Sequence, residues 1–220
     1  MHGAHGPLGV VLVGLVLTTM ALVGSARLAA CVRFAALQGA MLGVLTILAH
    51  PGADLLRPAL LAVANVGIKG FVFPWLLTRA MRDANVRREA EPLVGYGSSL
   101  LVALVLLGVC LWISDRLVHP NLEALPLSVA AALFMVLMGL FQIVARRTAL
   151  SQVLGYLVMD NGVYAFGVGV AGVTPGLVEL GILLDLLVAV FVMGIAMFHI
   201  SREFDHIDTD RLTTLRDWQP

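Results

Sequence analysis

The chain alternates between apolar runs of about twenty residues and short stretches that gather arginine, proline and acidic side chains. Roughly 20 apolar residues cross the hydrocarbon of a bilayer as a helix. On that yardstick, spans fall at 8–24, 28–49, 55–77, 94–113, 126–145, 148–172 and 177–199. The pattern predicts an all-α integral membrane protein with seven transmembrane helices, a membrane region over 1–200 and a tail over 201–220. The first run is read as a permanent helix, because its flank from Met1 to Pro7 has no Lys or Arg and an export signal opens with positive charge. Pro74 predicts a kink or an end in the third helix. Gly39 and Gly43 form a GxxxG pair, and Gly162, Gly167 and Gly172 recur further on; small residues so spaced predict close helix packing.

Charge orients the helices, since Lys and Arg collect on the cytoplasmic side of a membrane protein. With the N-terminus outside, the inner side receives Arg27, Arg33, Arg79, Arg82, Arg87, Arg88, Arg146, Arg147, Arg202, Arg211 and Arg216, and the outer side only Arg57 and Arg116. The imbalance predicts N-out and C-in. The longest inner loop, 78–92, mixes its arginines with Asp83, Glu89 and Glu91 and reads as a solvated segment. The tail is either disordered or, through Leu212, Leu215 and Trp218, a docking element for another subunit.

Composition agrees with the pattern. Apolar residues make up 60% and charged residues 13%, mean hydropathy is +0.95, and a soluble domain carries about a quarter charged residues. A water-soluble fold is excluded. Fourteen basic residues balance fourteen acidic ones, so no basic surface is available for a nucleic-acid backbone. Cys31 and Cys110 lie in apolar runs without a CxxC or a Cys/His cluster, which argues against an iron–sulfur or zinc site in this chain. His2 and His5 are a lone pair at a terminus and carry little weight as ligands.

Charged groups inside the membrane cost about 2.5–3.5 kcal/mol each on insertion scales, so they are functional by default. At a rise of about 1.5 Å per residue, Asp160 and Asp185 sit about 18–21 Å above the inner face. Lys69 sits about 12 Å up, with Asn65 one turn higher and Gln38 at about 15 Å. Four helices thus place ionisable or amide groups in one band. Tyr156, Asp160 and Tyr164 recur every four residues and form one stripe. A carboxyl in hydrocarbon holds its proton, and a nearby ammonium loosens it, so such a band can load and release protons. The rival reading is a permanent ion pair between Lys69 and one aspartate that only ties helices together. Glu179, near the outer end of its helix, reads equally as a hydrated entrance or as an uninvolved rim carboxylate, and His199 as an interfacial anchor.

The run RRTALSQVLGYLVMDNGVYAFG at 146–167 resembles the hydrogenase-4 component E family. So do ARLAACVRFAALQGAMLGVL at 26–45, VGIKGFVFPWLLTRAMR at 66–82 and the ending FDHIDTDRLTTLRD. The last three helices, 126–199, more loosely resemble the small three-helix subunit K of complex I and the C subunit of Mrp-type antiporters. The resemblance implies a non-catalytic membrane subunit of a group 4 [NiFe] hydrogenase or formate hydrogenlyase-like complex in a prokaryotic cytoplasmic membrane. Its partners would be antiporter-like membrane subunits and a peripheral hydrogenase-type arm, with NiFe and Fe–S centres held by those partners. It also implies that Asp160 and Asp185 stand where subunit K has intramembrane glutamates, one methylene longer. Lys69 has no counterpart there. Two alternatives stay open: a scaffold of the same complex, and a subunit of an Mrp-type cation/proton antiporter.

Overall fold

The computed structural model describes residues 5–49, 56–83, 93–117, 126–170 and 194. Asp185, Glu179, His199, the seventh predicted span, most of the 78–92 loop and the tail lie outside the described residues. Among the described residues every regular element is helical: α1 (His5–Val23), α2 (Leu28–Ala49), α3 (Leu56–Asn65), a π-helical segment (Val66–Val72), α4 (Phe73–Asp83), α5 (Tyr96–Leu117), α6 (Pro126–Ala145) and α7 (Ala149–Val170). Four of these helices, α1, α2, α5 and α6, are long and apolar enough to cross a membrane.

Local chemistry supports each helix. Thr18, Thr19 and Thr46 return their hydroxyls to carbonyls four residues back at 2.8–2.9 Å, which satisfies them inside the helix. Pro126 opens α6, where its missing N–H costs nothing. Thr148 accepts the Ser151 amide at 3.4 Å and caps α7.

Glycines set how closely the helices approach. A Cβ on Gly139 of α6 would stand 2.5 Å from the Met159 nitrogen and 2.7 Å from the Gly155 carbonyl of α7, and one on Gly162 would stand 2.7 Å from the Val136 nitrogen. The α6–α7 seam is therefore backbone against backbone. The GxxxG pair behaves as expected, with Gly39 against Lys69 and Gly43 against Val66. Around these seams lies an apolar core that includes Leu12, Leu15, Leu42, Phe73, Phe134 and Met138.

One expectation needs correction and another gains detail. The third helix does not end at Pro74: helical turns continue from Leu56 to Asp83. Pro74 cannot donate into an i→i−4 ladder, and the turns just before it widen, with the Phe73 amide donating to the carbonyl of Ile68, five residues back. Arg146, which the sequence places among the inner-side cations, is buried. It donates to the Val23 carbonyl at 2.6 Å and lies 4.6 Å from the Tyr96 ring. That contact ties the end of α1 and the start of α5 to the α6–α7 turn, so one end of the bundle carries Arg27, Arg33, Arg79, Arg82, Arg146 and Arg147.

Candidate proton-transfer site

The π segment turns Lys69 inward, where its ammonium pairs with the Asp160 carboxylate through Oδ2. The two side chains are 2% and 0% exposed. Lys69 gains this position because Gly39 has no side chain: a Cβ there would come within 2.8 Å of Lys69 Cβ. The Lys69 nitrogen also stands 5.1 Å from the centre of the Tyr164 ring, where the π cloud favours a cation. The Tyr164 hydroxyl meets Thr46 Oγ1 at 3.0 Å.

A second polar line leaves from the neighbouring residue. Asn161 donates to Gln38 Oε1 at 3.1 Å, Gln38 donates to Thr19 Oγ1 at 2.9 Å, and Thr19 donates to the Leu15 carbonyl at 2.8 Å. This line crosses α7, α2 and α1. Asn65, one turn before Lys69, donates to the Gly39 carbonyl at 3.4 Å. Around the pair, the buried acceptors Asp160 Oδ1, Asn161 Oδ1 and Asn65 Oδ1 have no hydrogen-bond partner among the described residues. A narrow crevice lined by Lys69, Asn161, Phe73, Pro74 and Leu77 adjoins the pair.

Of the residues singled out from the sequence, Lys69, Asp160, Tyr164, Gln38 and Asn65 come together here. Tyr156, one turn from Asp160, is half-buried against the apolar core. Asp185 and Glu179 lie outside the described residues. Thr19, Thr46 and Asn161 were missed. Asn161 had a visible signal, its place beside Asp160; Thr19 and Thr46 had none, because threonine in an apolar helix ordinarily satisfies itself. Among the described residues no three His, Cys, Asp or Glu side chains cluster to hold a metal ion.

Chemically, the arrangement is a carboxylate with one oxygen committed to an ammonium and the other without a donor among the described residues. A proton arriving at Oδ1 would convert the carboxylate to the neutral acid and release the lysine from its ion pair.

Comparison with known proteins agrees with this membrane architecture. The family described as NADH-ubiquinone/plastoquinone oxidoreductase chain 4L matches residues 127–217. A Mycobacterium tuberculosis protein, described as uncharacterized protein Rv0085, is 38% identical over 205 residues, 93% of each chain. Hydrogenase-4 component E of Escherichia coli is 31% identical over 148 residues, 67% of this chain and 68% of that protein. The chain belongs to the hydrogenase-4 component E family. The Shigella flexneri hydrogenase-4 component E matches to the same extent. No solved structure matches. In this hydrogenase-4 component E family member the chain 4L match takes in Asp160, whereas Lys69 lies N-terminal to it. The ion pair therefore joins the chain 4L-like part of this membrane protein to the part that precedes it.

Proposed function

We propose that this chain is a non-catalytic membrane subunit of a group 4 membrane-bound hydrogenase-type complex, in which it helps to move protons, or sodium ions, as a peripheral arm carries out redox chemistry. Asp160 takes up and releases the ion, Lys69 biases that exchange, and Asp185 is the next carboxylate along the route. Tyr156, Tyr164, Gln38, Asn65 and Glu179 line or steady it. In this reading the protein spans a prokaryotic cytoplasmic membrane seven times, N-out and C-in, beside antiporter-like subunits. The NiFe and Fe–S centres belong to partner chains.

One observation carries the reading: a fully buried Lys69–Asp160 pair whose second carboxylate oxygen has no hydrogen-bond partner among the described residues. A pair kept only for stability gains little over apolar packing, because desolvation offsets the attraction. Asp160→Asn in the intact assembly is expected to leave the set of assembled proteins unchanged and to lower the ions moved per turnover. Normal pumping by that variant would favour a scaffold, the reading to which the static Thr19–Gln38–Asn161 line lends weight. Co-purification tests membership separately: a large [NiFe] protein and Fe–S subunits are expected with this chain, and their absence beside antiporter subunits would point to an Mrp-type assembly.

A further inference from the structure

Behind Lys69, on the outward side of the same helix, Phe71, Val72 and Trp75 are exposed, Trp75 by 59%. Arg79 and Arg82 are exposed one and two turns further on. Phe71, Trp75 and Arg79 recur every four residues, with Arg82 three beyond, so they form one stripe. From Phe71 to Arg82 the stripe covers about 16 Å along the helix. Its chemistry changes with depth as a leaflet does: a phenyl ring in hydrocarbon, an indole at the boundary, then guanidinium groups at phosphate level. The Arg79 guanidinium carbon stands 5.7 Å from the Trp75 ring centre, a cation–π contact that limits where its planar fork can point.

We propose that this stripe binds an anionic phospholipid headgroup in the leaflet at the arginine-rich end of the bundle. The surface is apolar over Phe71, Val72 and Trp75 and cationic at Arg79 and Arg82, the order in which a leaflet presents hydrocarbon and then phosphate. The opposite end of the bundle supplies an internal comparison. There Trp112 is 64% exposed and Arg116 stacks on it at the same 5.7 Å, but the exposed Asp115 adjoins the arginine. Asp115 and Arg116 cancel, while Arg79, Arg82 and Asp83 sum to +1. The site lies outside the Lys69–Asp160 pair and does not depend on ion transfer there.

Single-tryptophan fluorescence of the full-length chain tests this. With Trp112→Phe and Trp218→Phe, Trp75 is the sole indole. The chain is placed in phosphatidylcholine vesicles containing a minor fraction of brominated phosphatidylglycerol or, in its place, the same fraction of brominated phosphatidylcholine. Phosphatidylglycerol is expected to quench Trp75 about fivefold more effectively, the enrichment a single net charge produces at the surface. Adding Arg79→Gln and Arg82→Gln should bring the two lipids to parity, and a sister chain that retains only Trp112 should show no preference. Equal quenching in the parent, or a preference that survives loss of both arginines, overturns the proposal. Quenching by neither lipid also overturns it, since Trp75 would then be covered by protein.

Discussion

Removing either member of the buried pair should destabilise the fold far more than removing both. The Lys69 and Asp160 side chains are 2% and 0% exposed, so solvent screens neither charge. Treated with an effective dielectric of about 20, two charges in contact attract by about 4 kcal/mol. That agrees with the roughly 3–5 kcal/mol lost when one partner of a buried pair is deleted. Asp160→Leu leaves the ammonium without its counter-charge, beside the Tyr164 ring 5.1 Å from its nitrogen, a contact worth about 0.5–2 kcal/mol. Lys69→Met leaves a buried carboxylate without its counter-charge and is expected to cost a similar amount. The double variant replaces the pair with apolar groups and should recover most of the loss, because such replacements are neutral or stabilising by about 1–4 kcal/mol. Denaturant unfolding of the full-length chain in micelles, followed by circular dichroism, measures all four corners of the cycle. Single variants that each lose less than about 1 kcal/mol, or losses that simply add in the double variant, would refute the reasoning.

Other substitutions probe the surroundings of the pair. Gly139→Ala drives a methyl to 2.5 Å from the Met159 nitrogen and 2.7 Å from the Gly155 carbonyl; it should cost about 1–3 kcal/mol in the same unfolding assay. Gly108→Ala, with nothing within 4 Å, should stay within about 0.5 kcal/mol. Gln38→Leu removes the bonds to Thr19 and Asn161 and strands a buried amide, for an expected loss of about 1–3 kcal/mol. If the amide line only clamps α1, α2 and α7, ions moved per turnover will not change in that variant.

Hydrophobic run length located most of the helices. The spans expected at 28–49 and 126–145 coincide with α2 and α6, because there the apolar run and the helix end together. At the third span the helix and the apolar run part company at residue 77. The helix goes on through Thr78, Arg79 and Arg82, whose side chains are exposed, and a hydropathy criterion cannot see an amphipathic end. The π turn was equally invisible, because it depends on how the ladder relaxes ahead of Pro74 and on the space that Gly39 leaves. Arg146 looked like any other loop cation. Its burial follows from the carbonyl that the end of α1 offers it, a tertiary fact with no local signature. The ionisable members of the site were legible on cost alone, while the hydroxyls that complete it were not.

If Asp160 exchanges a proton as the complex turns over, its carboxyl must alternate between acid and carboxylate. Infrared difference spectroscopy of the intact assembly, oxidised against reduced, reads that change directly through the carboxylic acid C=O stretch. The account predicts a band in this region that disappears in Asp160→Asn; a spectrum identical in the two proteins, or one without any carboxylic acid band, would contradict it.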